Sequence, residues 1–447
     1  MSKSTPGKIL IVFASVLLSG TGAFGQLIRQ PNTTLNLSQS TPPATLSATG
    51  AFADLTTLTP NTGIVAYTPN VPFWSDYAKK TRWFSIPDIT RTMTFSRDSN
   101  WTFPTGTIWI KHFDLPNERT DPNGPSRRIE TRFLVKTDTA AYGLTYKWRD
   151  DQTDADLVVS SGEQVAYMVY VNGAPTFQNW TYPSRSACTQ CHTSVGGRAL
   201  SFTTRQMNAS HVYGSQNLNQ VQALSDAGYF FAPVTGVNNL PAFAKANDTT
   251  QNLEWRTRSY FAVNCSQCHQ PSGPTPGYWD ARPTTPLDQA QIINGVLYNN
   301  IGDPNYRFIV PGDLNHSMSF LRIAGIAQRM PPIGTNELDP DNMQLLSDWV
   351  TQALPQRLSF TQWQLYYFGS TKDPIAAPDE WSTKCCLWGN NVDLVPRHRA
   401  RSTKCSQPLP QFAPRFHIRE QPGKRSFTGR RGHERVRRNQ GEQKRSG

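Results

Sequence analysis

From about Pro72 to Tyr182, apolar and polar residues alternate along the chain. In the run Tyr142-Gly143-Leu144-Thr145-Tyr146-Lys147-Trp148, large apolar side chains fall at every second position. Ile129, Thr131, Phe133 and Val135 likewise alternate with Glu130, Arg132 and Lys136. A period of two predicts half-buried strands. Glu163 to Val171, followed by Asn172-Gly173, has the composition of a strand entering a tight hairpin. An antiparallel, β-rich domain is therefore expected over residues 65–182.

Past Pro183 the period lengthens. Leu253, Thr257, Tyr260, Phe261 and Asn264 share one side of a helix capped by Asp248 or a neighbouring Thr, and this helix ends at Cys265. Asp339-Pro340 supplies a capping residue and a first-turn proline. Leu345 with Trp349, and Leu346 with Val350, then recur at helical spacing. Three further segments read as non-globular. Residues 1–25 have a signal peptide's plan: Lys3 and Lys8, an apolar stretch from Ile9 to Leu18, and Ala23-Phe24-Gly25 as a cleavage site. Residues 26–64, rich in Thr, Pro, Ser and Asn, read as a linker, and residues 380–447 as a disordered basic tail.

At 447 residues the chain is long enough for more than one folded unit. Its net charge of +12 invites a nucleic-acid reading, but from Thr383 onward there are 16 Lys and Arg against 4 Asp and Glu, so the excess belongs to the tail. The body is neutral, and no nucleic-acid partner is expected. No segment after the signal is apolar enough to span a membrane, which leaves a periplasmic or otherwise exported protein as the expectation.

Cys188-Thr189-Gln190-Cys191-His192 and Cys265-Ser266-Gln267-Cys268-His269 repeat one pattern in a chain with 7 Cys, three of them (Cys385, Cys386 and Cys405) in the tail. Two thiols three positions apart can add to the two vinyl groups of a haem, and the adjacent His then lies under the iron. A zinc site built from such pairs closes over roughly 15 to 20 residues, far less than the separation here, and does not call for a His after each pair. A thioredoxin-like dithiol needs one motif in a βαβ setting, which the pattern lacks. Two covalent haem c groups are expected, on Cys188 with Cys191 and on Cys265 with Cys268, with His192 and His269 as axial ligands.

Downstream of His269, Arg329-Met330-Pro331-Pro332 places a thioether in a stretch stiffened by prolines, and Met330 is the expected second axial ligand of that iron. For the first motif Met207 is the nearest Met, with His211 and His112 as alternatives and an open site as another.

With these residues in hand, the region from about Val71 to Trp349 resembles bacterial dihaem c-type cytochromes, which occur alone or joined to quinoprotein sugar dehydrogenase domains. The resemblance lies in Phe73-Trp74-Ser75-Asp76, Trp101-Thr102-Phe103-Pro104, Ile129-Glu130-Thr131-Arg132, Tyr182-Pro183-Ser184-Arg185, Asn264-Cys265 and Arg329-Met330-Pro331-Pro332. Met207 stands where that group is expected to carry Leu. The resemblance implies electron transfer with a redox protein partner such as a quinoprotein dehydrogenase; the alternative is a peroxidase-like enzyme with an open first haem. The expected fold is α+β: the β-rich domain, a first haem-binding segment at 183–247, then an all-α class I cytochrome c-like domain at 248–355.

Overall fold

The alternating segments form a six-stranded antiparallel meander preceded by a small hairpin of β1 (Phe52–Asp54) and β2 (Thr59–Pro60). The meander runs in chain order through β3 (Val65–Ala66), β4 (Lys79–Ser85), β5 (Ile108–Pro116), β6 (Ser126–Lys136), β7 (Ala141–Trp148) and β8 (Ala155–Leu157). A separate hairpin joins β9 (Glu163–Val171) to β10 (Ala174–Tyr182). At its turn Asn172 and Gly173 have φ of 51° and 76°, the handedness that lets two strands twist together across a two-residue loop. The structure, a computed structural model, describes residues 27–275, 277–358 and 362. All of these belong to one compact unit.

Both faces of the sheet are covered. On one, Trp83, Ile110, Phe133, Leu144 and Tyr146 pack against Leu46, Phe52 and Ile64. Residues 27–64 are thus not a loose linker. Their apolar side chains are too sparse to show a period, yet several dock individually on the sheet. On the other face two apolar clusters lie apart. Phe84, Trp109 and Leu134 pack with Phe202, Met207, Val221 and Leu224, whereas Phe113 and Leu115 pack with Tyr167, Trp180 and Tyr182 of the hairpin. The first of these clusters joins residues on both sides of position 183, so the expected β-domain and first haem-binding segment share a core.

Short elements follow the hairpin: α1 (Arg185–Cys191), α2 (Thr204–Met207), strands β11 (Ser210–Tyr213) and β12 (Gln216–Asn219), and α3 (Gln220–Asp226). Then come α4 (Leu253–Asn264), α5 (Met318–Ile323) and α6 (Pro340–Asp348). Asn252, rather than Asp248, caps α4 by accepting from the Trp255 N–H at 2.7 Å. Asp339 caps α6 as its sequence suggests, accepting from the Asn342 N–H at 3.2 Å.

The expectation of an all-α cytochrome c-like domain at 248–355 is overturned. The molecule is β-rich, and this segment holds only three described α-helices, separated by long irregular stretches. The physical reason lies between α4 and α5. Pro271, Gly273, Pro274, Pro276, Gly277, Pro283, Pro286, Gly295, Gly302 and Pro304 repeatedly remove the amide donors or add the backbone freedom that ends helices. Phe261, Phe308, Leu346, Trp349 and Val350 still close a core there. The expected signal peptide and basic tail lie outside the described residues.

Phe202, 1% exposed, is the hub of the larger cluster: its ring centroid lies 4.6 Å from Tyr67, 4.9 Å from Phe103 and 5.3 Å from Phe84. Phe202→Ala should cost about 3–5 kcal/mol, read as a lower urea midpoint at unchanged slope. An unshifted midpoint would show that the cluster does not hold this face together.

Candidate functional site

The first motif is carried by α1, whose N-cap Ser184 accepts from the Ala187 N–H at 3.1 Å. This short helix places Cys188 and Cys191 one turn apart and leaves His192 at its C-cap. The helix lies on β7 at Gly143, where a Cβ would collide with Cys188 Sγ. Glycine is required there by close approach.

His192 Nδ1 faces the Arg198 carbonyl at 2.5 Å, and since a carbonyl only accepts, the ring proton resides on Nδ1 and Nε2 keeps its lone pair. At the second motif the Thr275 hydroxyl donates to the Cys268 carbonyl at 3.2 Å and so accepts from His269 Nδ1 at 3.3 Å. Trp279 stacks on the His269 ring at 4.6 Å. Burial holds both imidazoles at about 4, so both are neutral near pH 7. A neutral imidazole with its second nitrogen anchored is what iron ligation asks of a histidine.

The four cysteines are free thiols. Burial raises all of them, Cys265 to about 12 and Cys268 to about 11. A reactive dithiol has the opposite shift. Among the described residues no three His, Cys, Asp or Glu side chains are grouped so as to hold one metal ion. Neutral thiols paired beside an imidazole suit thioether attachment better than thiolate ligation.

Beside α1 lies a cavity of about 140 Å³ that opens to solvent. Cys188, Cys191 and His192 line one side, and Tyr67, Phe73 and Ile333 contribute further walls. Its floor is the sheet, arranged in rows. Phe84, Trp109, Leu134 and Gly143 pair across four strands, and beside them run Arg82, Lys111, Arg132 and Thr145. Apolar wall, paired thiols, anchored imidazole and buried cations are the features a haem with two carboxylates requires, so the residues present fit the group.

The two motifs, distant in sequence, touch. Thr193 Oγ1 donates to the Gln267 carbonyl at 2.9 Å, Gln270 Nε2 donates to the Val195 carbonyl at 3.3 Å, and Cys268 Sγ lies 3.7 Å from the Gln190 carbonyl. Gly196 belongs to this junction, since a Cβ there would press on Thr193 Oγ1 and Gln267.

The expected second ligands divide. The Met330 N–H donates to the Arg322 carbonyl at 3.3 Å, and the Arg322 charge is one of the influences on His269, which links the Met330 stretch to the second motif through α5. The Met330-Pro331 peptide is cis. Met207 is fully buried in the core against Phe202 and Val221 and does not line the cavity of the first motif. His211 contacts the Thr68 hydroxyl at 3.0 Å on the β11–β12 hairpin. His112 is buried between Thr131, at 2.8 Å, and Asp114, at 3.2 Å, and its strand position puts it on the opposite face from Lys111. None of the three faces the first motif's cavity.

A connection that sequence reasoning missed is the loop Phe73-Trp74-Ser75-Asp76. The Trp74 N–H donates to Asn264 Oδ1 at 3.1 Å, directly before Cys265, and its indole donates to the Glu337 carbonyl at 3.0 Å. The Asp76 carboxylate accepts from the Glu337 N–H at 2.9 Å and from Asn336 at 3.1 Å. The signal in the sequence was the motif itself, whose task only the fold reveals.

Gly143→Ala should displace Cys188 and, on the expectation of two covalent haems, lower their number from two per chain to one, counted by pyridine haemochrome absorbance per polypeptide. Retention of both would show that α1 can shift without consequence. Compared with protein-family models, with curated proteins and with solved structures, the chain has no match.

Proposed function

We propose that the chain is an exported dihaem c-type cytochrome, attached at Cys188 with Cys191 and at Cys265 with Cys268, and that it transfers electrons for a redox protein partner. The observation that carries this reading is the junction: two thiol pairs, each followed by an anchored neutral imidazole, meet through the Thr193–Gln267 hydrogen bond. Bound haem supplies reversible one-electron exchange at its iron.

The protein's own residues do the rest. His192 and His269 present Nε2, held in place by the Arg198 carbonyl and Thr275. The junction leaves a short hydrogen-bonded route between the two attachment loops, shorter than any route along the chain. Tyr67, Phe73, Trp109 and Leu134 exclude water from one side of the cavity at the first motif. Met330, in its proline-stiffened stretch, is the proposed second ligand at the second motif. A dehydrogenase of the quinoprotein class suits the partner role, as such domains are fused to the cytochromes this sequence resembles. Among the described residues no helix is long and apolar enough to cross a membrane.

Two covalent haems per chain should survive denaturing electrophoresis and stain for peroxidase activity in the gel. Replacing Cys188 and Cys191, or Cys265 and Cys268, by Ala should each remove one. A count of one or none in the parent protein would end the dihaem reading. Met330→Ala should lower the potential of one haem and open its iron to carbon monoxide, because a thioether stabilises the ferrous state. An unchanged spectrum and potential would make Met330 a packing residue.

A further inference from the structure

The cavity floor holds more basic side chains than acidic partners among the described residues. Arg82, Lys111 and Arg132 stand directly opposite one another on three neighbouring strands, and like charges so placed repel. Arg132 is compensated: Glu130, itself fully buried, pairs with its guanidinium through Nε and, at 2.8 Å, through Nη2. Arg82 is not. It is 5% exposed, and its buried Nη2 has no hydrogen-bond partner among the described residues. The contacts of the Lys111 ammonium are the rings of Phe113, at 4.9 Å, and Phe73, at 5.5 Å. Burial, reinforced by Arg82, Lys80 and Arg132, lowers its pKa well below the usual ammonium range. Lys80, in the next row, donates to the Phe73 carbonyl at 2.8 Å. A buried basic group without an anionic partner is costly to charge, and a sheet that keeps two side by side has left room for negative charge.

Resting on the dihaem reading above, we propose that Arg82 and Lys111 bind the two propionates of the haem held by the first motif, with Arg132 and Glu130 as a neutral pair that positions the row. The number of charges matches, two cations for two carboxylates. Arg82, Lys111 and Arg132 line the same cavity as Cys188, Cys191 and His192, so the carboxylates of a group attached at those thiols would share that cavity with the cationic row. The cations also act on the iron, since nearby positive charge favours the more negative, reduced state. Arg82 and Lys111 are therefore positioning residues that raise the first haem's potential.

The test is a spectroelectrochemical titration of the whole protein at fixed pH and low salt, with haem counted on the same samples. Arg82→Met and Lys111→Met should each keep two haems and move one of the two redox steps. At a fixed potential the reduced-to-oxidised ratio of that haem should fall roughly tenfold, the order expected for one unit charge in a protein interior, or about 59 mV for a one-electron couple. Arg82→Lys should retain most of the parent potential. Two haems with both steps unmoved would overturn the proposal. Should Arg82→Met lose one haem instead, recovery in Arg82→Lys supports the charge role, and equal loss in Arg82→Lys overturns it in favour of shape. A parent protein without covalent haem refutes the dihaem reading itself, an outcome distinct from all of these.

Discussion

The buried carboxylate of Asp76 is the point on which the arrangement turns. It accepts from Asn336 and from the Glu337 N–H, while its neighbour Trp74 ties the end of α4 through Asn264 and the same stretch through its indole. One loop of the β-rich half thus fixes the helix that delivers Cys265 and the segment that follows Met330. Removing a buried charged acceptor leaves its donors unpaired, and the cost is that of desolvated groups, about 1–3 kcal/mol or more for each. The same helix also packs on Val71 and Phe243 through Ala262 and Val263, so the loop acts together with this apolar contact and with the contacts among Thr193, Val195, Gln267 and Gln270 in setting the second motif against the sheet.

The sheet serves two chemistries on its two faces. One packs apolar side chains against residues 27–64. The other divides into apolar clusters at either end with a charged band between them, and α1 crosses near that band. The charges survive burial in unequal ways: Glu130 also accepts from the Trp180 indole at 2.8 Å, which secures the Arg132 pair, whereas Arg82 has no such neighbour. This asymmetry, more than the presence of Arg and Lys, sets the cavity floor apart from an ordinary ion-pair network.

Much of the β-half was legible in the sequence, because a period of two and an Asn-Gly turn are local signals. The strands β6, β7 and β9 fall where alternation places them. Less legible was what covers the second face. Alternation marks Glu130 and Arg132 as polar positions, yet Glu130 is fully buried, since the covering elements come from residues far along the chain. The motif residues were legible as chemistry, but their meeting was not, because no local pattern encodes a contact between residues 193 and 267. The all-α expectation for 248–355 fails for a related reason: the motif and the caps at both ends are local helix signals, while the prolines and glycines between them dictate irregular chain. Met207 is near the first motif in sequence, but its burial against Phe202 puts it elsewhere.

The cavity beside α1 is walled by Tyr67, Phe73, Lys111, His192 and Ile333, residues drawn from nearly the whole length of the described chain. Such a chamber does not exist until its last wall arrives, and on a chain emerging from its N-terminus that wall comes late. Cys188 is therefore open to a large planar group while the chain is still being made, and hemmed in afterwards. A large group destined for that thiol would best be installed on an unfinished protein, which would make loading a stage of folding and the completed fold its lock.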